Sequence, residues 1–211
     1  MKINEIFTSI QGETSFAGLP FTFVRLTGCN LRCIYCDTQY AYDEGTEWTI
    51  DKILSDIQLR GIPRIVITGG EPLLQNETYS LCAQLLDREY VVLLETNGSV
   101  SIKNVDQRVH RILDLKCPAS GMDAYMDFKN VNYLTRQDEV KFVISDWNDF
   151  QWALSVVERY DLEKIAGILM SPVHQRMRPN ELAEWIIQAK INARLQLQLQ
   201  KYIWPEKHRG T

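Results

Sequence analysis

No apolar run in this 211-residue chain approaches the roughly 20 residues that a transmembrane helix needs, so no helical membrane span is expected. There is no basic excess either: 23 Lys and Arg stand against 27 Asp and Glu, a net charge of −4. Without a basic stripe, direct binding to nucleic acid is not expected. Internal repeats and low-complexity linkers are missing, which points to a single domain across 1–211, its core fed by 45% hydrophobic residues. The opening Met1-Lys-Ile-Asn-Glu-Ile-Phe is too short and polar for a secretion signal. A reducing, cytoplasmic setting is therefore expected, where clustered cysteines serve metals or catalysis more often than disulfides.

The most telling shortage is of a fourth cysteine. Cys29, Cys33 and Cys36 lie in the run Gly28-Cys-Asn-Leu-Arg-Cys-Ile-Tyr-Cys-Asp37, spaced Cys-x3-Cys-x2-Cys. A closed structural zinc site takes four protein ligands, and a fully covered iron–sulfur cluster normally takes four cysteines. Three thiolates leave one metal position open for chemistry. The plain alternative is zinc, completed by His110, His174, His208, Cys82 or Cys117. Cys82 falls on an apolar helix face and reads as core; Cys117, before Pro118, reads as an ordinary buried or loop thiol.

Strand-like and helix-like segments alternate, which predicts βα units and a mainly parallel sheet. Strands are expected at Phe21–Thr27, Arg64–Thr68, Tyr90–Glu95, His110–Leu115, Glu139–Ile144 and Ile165–Met170. Helices are expected around Ile50–Ile57, over Glu77–Leu86, weakly around Asp123–Val131, on the stripe Trp147-Phe150-Leu154-Val157, and on Leu182-Trp185-Ile186-Ala189. Arg194–Gln200 alternates Leu with Gln and predicts a strand with one wet face. Six such strands close into a barrel or stay partly open. In either case ligands gather beyond the strands' C-terminal ends. The informative loops fall there: Gly28–Tyr40, Gly69–Pro72, Thr96–Gly98, Lys116–Gly121 and Ser171–His174.

The cysteine loop after the first strand, Tyr35 before its last cysteine, and Gly69-Gly70-Glu71-Pro72 after the second strand together resemble the radical S-adenosylmethionine (SAM) enzymes. The resemblance implies a 4Fe–4S cluster on Cys29, Cys33 and Cys36 whose open iron chelates SAM. It also implies an α/β fold of a partial or modified (β/α)6 barrel. Adjacent glycines let backbone approach a ligand closely; taken alone, Gly69-Gly70 reads as a simple turn, and beside the cysteine loop it does not.

Ile6-Phe-Thr-Ser-Ile-Gln-Gly-Glu13, Phe23-Val-Arg-Leu-Thr-Gly-Cys29 and Cys36-Asp-Thr38 narrow the likeness. This combination is similar to the 7-carboxy-7-deazaguanine synthases, radical SAM lyases of queuosine and deazapurine synthesis. The resemblance implies a pterin substrate, SAM, the cluster, Mg2+, an electron donor such as flavodoxin or ferredoxin, and a homodimer. Carried over by position, it implies substrate contacts at Ile10, Gln11, Gly12, Arg25 and Thr68, and one at the chain end, Thr211. It implies Mg2+ at Thr38, and SAM contacts at Gly70, Asp114, Leu115, Lys116, Ser171, Pro172, Val173 and His174. Many relatives have Ser-Pro-Lys where this chain has Asp114-Leu-Lys116. The tail 201–211 is expected to close over the substrate.

Plainer roles stand beside these. Arg25 pairs with an internal acid such as Glu13 or Glu71; Gln11-Gly12 and Asn97-Gly98 are turns; Thr38 caps the following segment; His174 is a surface residue; the tail frays. Glu95 and Asn97 also fall near the site. Two rivals remain at this level: a glycyl-radical activase with the same cluster, and a zinc-binding interaction module without catalysis.

Overall fold

A computed structural model describes residues 1–207, 209 and 210. It shows one nine-stranded sheet. In chain order the strands are β1 (Lys2–Ile10), β2 (Pro20–Leu26), β3 (Thr46–Glu47), β4 (Arg64–Gly69), β5 (Val91–Thr96), β6 (His110–Leu115), β7 (Glu139–Ile144), β8 (Gly167–Pro172) and β9 (Ala193–Leu195). Across the sheet they run β3-β1-β2-β4-β5-β6-β7-β8-β9. From β2 through β4 to β9 every pairing is parallel, while β1 lies antiparallel between β2 and β3. The order has two ends, so the barrel is partial.

The helices α1 (Ile50–Arg60), α2 (Glu77–Leu86), α3 (Trp147–Arg159) and α4 (Pro179–Ala189) cover one face of the sheet. Local sequence sets their ends. Thr49 accepts a hydrogen bond from the Lys52 amide at the start of α1, and Gly61 ends it at φ +67°. Asp146 caps α3 through the Asp149 amide. A short α5 (Gln200–Ile203) follows β9.

Successive strand side chains point to opposite faces. Val24, Ile67, Leu94, Leu113, Val140 and Phe142 pack outward against Ile53, Leu81, Phe150 and Leu182 of the helices in one large core. The inner face carries a second, small cluster of Phe21, Phe23, Val66, Leu93 and Ile112, joined by Phe7 and Phe16. Further along the same strands, the inward positions turn polar: Arg25, Thr68, Glu95, Asp114 and Lys141. The apolar layer floors the partial barrel and the polar layer rims it.

Several sequence expectations shift. β1 is a full strand that periodicity did not reveal, because its register with β2 is irregular between Ile3 and Glu5 and breaks the alternation. The Asp123–Val131 helix is instead two short 3-10 runs, Asp123–Tyr125 and Phe128–Tyr133. The Arg194–Gln200 strand pairs only over Ala193–Leu195 before the chain turns into α5. Strand β8 begins later than expected and extends to Pro172, paired with Ile144, so Ser171 and Pro172 belong to the strand and not to a loop.

Candidate active site

The cysteine loop leaves the C-terminal end of β2 and is stitched to the loop after β4. The Gly70 amide donates to the Leu26 carbonyl at 3.2 Å, and the Glu71 amide to the Gly28 carbonyl at 2.7 Å. A Cβ on Gly70 would strike the Gly28 carbonyl and lie 2.7 Å from Cys29 Cβ. Glycine is required here so that the two loops can touch. Glu71 is fully buried and accepts from Thr96 Oγ1 (2.8 Å) and the amides of Asn97 (2.7 Å) and Leu73 (3.0 Å). It locks the ends of β4 and β5 together, and burial raises its pKa.

Cys29, Cys33 and Cys36 open into one cavity of about 210 Å3 with Ile10, Gln11, Gly12, Arg25, Thr38, Thr68, Gly70, Asp114 and Lys116. A wider cavity of about 640 Å3 adjoins it, sharing Arg25, Cys33 and Cys36 and adding Val173, His174 and Lys201. Cys29 Sγ receives the Leu31 amide at 3.4 Å and Asn97 Nδ2 at 3.7 Å. Such N–H···S bonds are among the means by which proteins tune iron–sulfur clusters. Burial pushes the Cys33 thiol up, against the pull of the Lys116 ammonium.

Among the described residues, no three His, Cys, Asp or Glu side chains converge where one metal ion would sit. A four-iron cluster asks for something else, one thiolate per iron, and the three spread cysteines fit it. Of the proposed fourth zinc ligands, only His174 among the described residues shares a cavity with Cys33 and Cys36; the rest are scattered. Cys82 and Cys117 are buried in the large core, His110 stands at the floor end of β6, and His208 lies outside the described residues.

The polar rim is a charge network. Lys116 Nζ lies 2.9 Å from Asp114 Oδ2, and Lys141 Nζ 3.7 Å from the same oxygen. Lys141 also pairs with Glu13. Burial works to raise the carboxyl pKa values of Glu13 and Asp114, but the ammonium groups outweigh it and hold both below the ordinary range. Glu95 goes the other way, raised by burial and by neighbouring Glu13. Glu95 accepts from Thr68 Oγ1 at 3.1 Å and from Gln11 Nε2 at 3.3 Å. Asp114 Oδ1 is buried with no hydrogen-bond partner among the described residues, which leaves it free to accept from a ligand hydroxyl.

Arg25 is ion-paired, though with neither Glu13 nor Glu71. Its Nε lies 2.8 Å from Glu5 Oε1 across the antiparallel strand β1, and Tyr40 donates to the same oxygen at 3.0 Å. Thr38 occupies the capping position of the 3-10 turn Gln39–Ala41 but makes no capping bond with its side chain. Its hydroxyl donates to Asp37 Oδ1 at 3.0 Å. Among the described residues, the remaining sequence candidates fall outside the first cavity. The Leu115 side chain is in the large core, Ser171 is buried, Pro172 lines a separate cavity of about 300 Å3 with His174, and Thr211 lies outside the described residues.

Four contributors were not singled out from the sequence: Lys141, Gln198, Gln200 and Lys201. Gln198 Nε2 and Gln200 Nε2 donate to Glu13 Oε1 at 3.0 and 3.3 Å, and the Leu199 amide donates to the Gly12 carbonyl at 3.1 Å. The alternating glutamines therefore pin the Gln11-Gly12-Glu13 loop and do not form a wet strand face. Lys141 had a signal: a charge at mid-strand of Glu-Val-Lys-Phe-Val-Ile, where a parallel strand is normally apolar throughout.

The comparisons speak to family and fold. Residues 23–170 match the Radical SAM superfamily. A 7-carboxy-7-deazaguanine synthase of Chlorobaculum tepidum is 43% identical, covering 100% of this chain and 97% of that protein. One of Koribacter versatilis is 40% identical, with both chains covered completely. A crystal structure of QueE from Escherichia coli superposes with a TM-score of 0.77 over 93% of each chain at 22% identity, which speaks for the fold. This chain belongs to the radical SAM superfamily and, within it, to the 7-carboxy-7-deazaguanine synthase family.

Proposed function

We propose that this chain contracts the ring of 6-carboxy-5,6,7,8-tetrahydropterin to 7-carboxy-7-deazaguanine with loss of ammonia, within queuosine and deazapurine synthesis. The observation that carries this reading is one cavity in which the three cysteines meet Gln11, Gly12, Arg25 and Thr68. Full-length similarity to the synthases weighs against an activase. Cys29, Cys33 and Cys36 hold a 4Fe–4S cluster. When bound there, the cluster would supply the electron that radical SAM chemistry needs.

The chain's own residues bind and orient. Arg25 lines the cavity while Glu5 holds Nε, so a substrate carboxylate meets a preset donor. Gln11, Gly12 and Ile10 offer amide and peptide groups to the pterin edge, beside Thr68. Thr38 donates its proton to Asp37, which leaves oxygen lone pairs for Mg2+; that ion keeps several waters and needs few protein ligands. Gly70, Asp114, Lys116, Val173 and His174 border the two cavities and are assigned to SAM. Any share of Leu115 falls to its backbone, since its side chain is in the large core, while Ser171 keeps a buried hydroxyl without a hydrogen-bond partner among the described residues.

The tail is strapped over the cavity mouth. Lys201 Nζ lies 2.7 Å from Asp37, Arg209 Nη2 lies 2.8 Å from Glu44, and the Arg209 guanidinium sits 4.2 Å over the Tyr40 ring. Closing the site against water protects the radical chemistry. Thr211, at the chain end, is assigned to substrate. A homodimer and a flavodoxin or ferredoxin reductant complete the reading.

The test is an anaerobic incubation of cluster-loaded protein with 6-carboxytetrahydropterin, SAM, Mg2+ and a reductant. Formation of 7-carboxy-7-deazaguanine supports the proposal. Production of 5′-deoxyadenosine without it would refute the substrate and leave the cofactor chemistry standing.

A further inference from the structure

The floor of the partial barrel carries a buried polar pair beside its apolar cluster. Phe21, Phe23, Val66, Leu93 and Ile112 make the inner cluster, but the first residues of β6 and β7 are His110 and Glu139. His110 Nε2 lies 3.3 Å from Glu139 Oε2, with side chains 15% and 6% exposed. The two atoms are close without a hydrogen bond between them, and neither has a hydrogen-bond partner among the described residues. The other carboxylate oxygen, Glu139 Oε1, accepts from the Ser15 amide at 2.9 Å. Phe16 stands edge-on against the His110 ring, 5.1 Å away at 85°.

Two residues further along the same face of β7, Lys141 holds Glu13. Strand β7 thus grips the β1–β2 loop at two rungs, with Thr14 between them. Thr14 is buried and has φ +66°, a left-handed conformation that a β-branched residue resists. Such backbone persists only where its surroundings over-determine it.

We infer that Glu139 is a positioning residue: it fixes the Ser15 amide, holds Thr14 in its strained conformation, and so sets where Gln11 and Gly12 present themselves to substrate. The inference rests on the proposed substrate role of that loop, and the test separates the two. In the cluster-loaded enzyme, the Ser15 amide exchanges hydrogen at least ~100-fold more slowly than an open loop amide. Exchange at the open rate overturns the inference whatever any variant does. Glu139→Ala removes the acceptor. It speeds Ser15 exchange and raises the KM for the tetrahydropterin about tenfold, with kcat and SAM affinity little changed. Glu139→Gln keeps an oxygen toward Ser15 and restores both values to within about threefold of the unmodified enzyme.

Unchanged KM and exchange in Glu139→Ala, or equal damage in the Ala and Gln variants, refutes the clamp. If Glu139→Ala does not fold, the wild-type exchange rate and Glu139→Gln still decide the matter. A wild-type enzyme that ignores the tetrahydropterin yet protects Ser15 refutes the substrate reading and not the clamp.

Discussion

Gly70 is a residue whose substitution is sharply constrained. Its missing Cβ is replaced in space by Gly28 and Cys29, and neither is the far end of a flexible side chain. Gly70→Ala therefore parts the two loops, at a cost of at least about 2 kcal/mol by the overpacking range. Chemical denaturation should show the loss, and iron content after reconstitution should fall with it. Arg25 sits at the other extreme, where stability and function divide. Arg25→Ala frees Glu5 and Tyr40 but leaves the core untouched, so SAM binding survives while substrate KM rises at least about tenfold. Arg25→Lys does not restore it, because a point ammonium cannot make the planar fork. Loss of SAM affinity in Arg25→Ala would show that the residue serves the cofactor instead.

At the scale of elements, α-helices cover four of the six crossovers between parallel strands. Among the described residues the β5–β6 and β6–β7 crossovers have none, and polar ties take their place. Asn130 accepts from the Ile102 amide at 2.9 Å and donates to the carbonyls of Gly98 and Val100. Asp138 grips buried Arg111 through Nε (3.0 Å) and Nη2 (2.5 Å), and also accepts from the Thr135 amide. Asp138→Ala leaves a buried guanidinium unpaired, and about 3–5 kcal/mol of stability is expected to go, read as a shift in the urea midpoint. The element after β9 bears on function. Lys201 ties α5 to Asp37 beside the cluster cysteines. Lys201→Ala should loosen the strap, admit water, and raise the ratio of 5′-deoxyadenosine to deazaguanine product severalfold. An unchanged ratio would mean that the segment is only a wall of the cavity.

For the whole molecule, the graded inner face carries a stability cost that pH reveals. Glu13 and Asp114 hold their protons less tightly when folded than their ordinary values of 4.5 and 3.8. Their stabilisation is full above that range and is lost as pH falls through the lowered folded values. Glu71 and Glu95 have raised values and act in the opposite sense, losing their contribution as pH rises through the folded value. Unfolding free energy measured from pH 7 down to about 3 should therefore decline below about 4.5, and Glu13→Gln should flatten that decline. An acid limb of equal slope in the variant would remove Glu13 from the account.

The sequence by itself determined the reaction class and most of the sheet. Cys-x3-Cys-x2-Cys is a local spacing on one loop, and the buried parallel strands from Phe21 to Met170 are short apolar runs whose period survives without knowledge of their partners. Only the tertiary structure decided what the polar residues do. Strand β1 escaped notice because its irregular register spoils the alternation, and its Glu5 turned out to be the partner of Arg25. Gln198 and Gln200 read as a solvent face because period two says that residues share a side, without saying what that side meets; here it meets Glu13. Lys141, Glu139 and His110 lie 128, 124 and 94 residues from Glu13, Ser15 and Phe16 along the chain. Contacts of that span are set by the closing of the sheet, which no local pattern encodes.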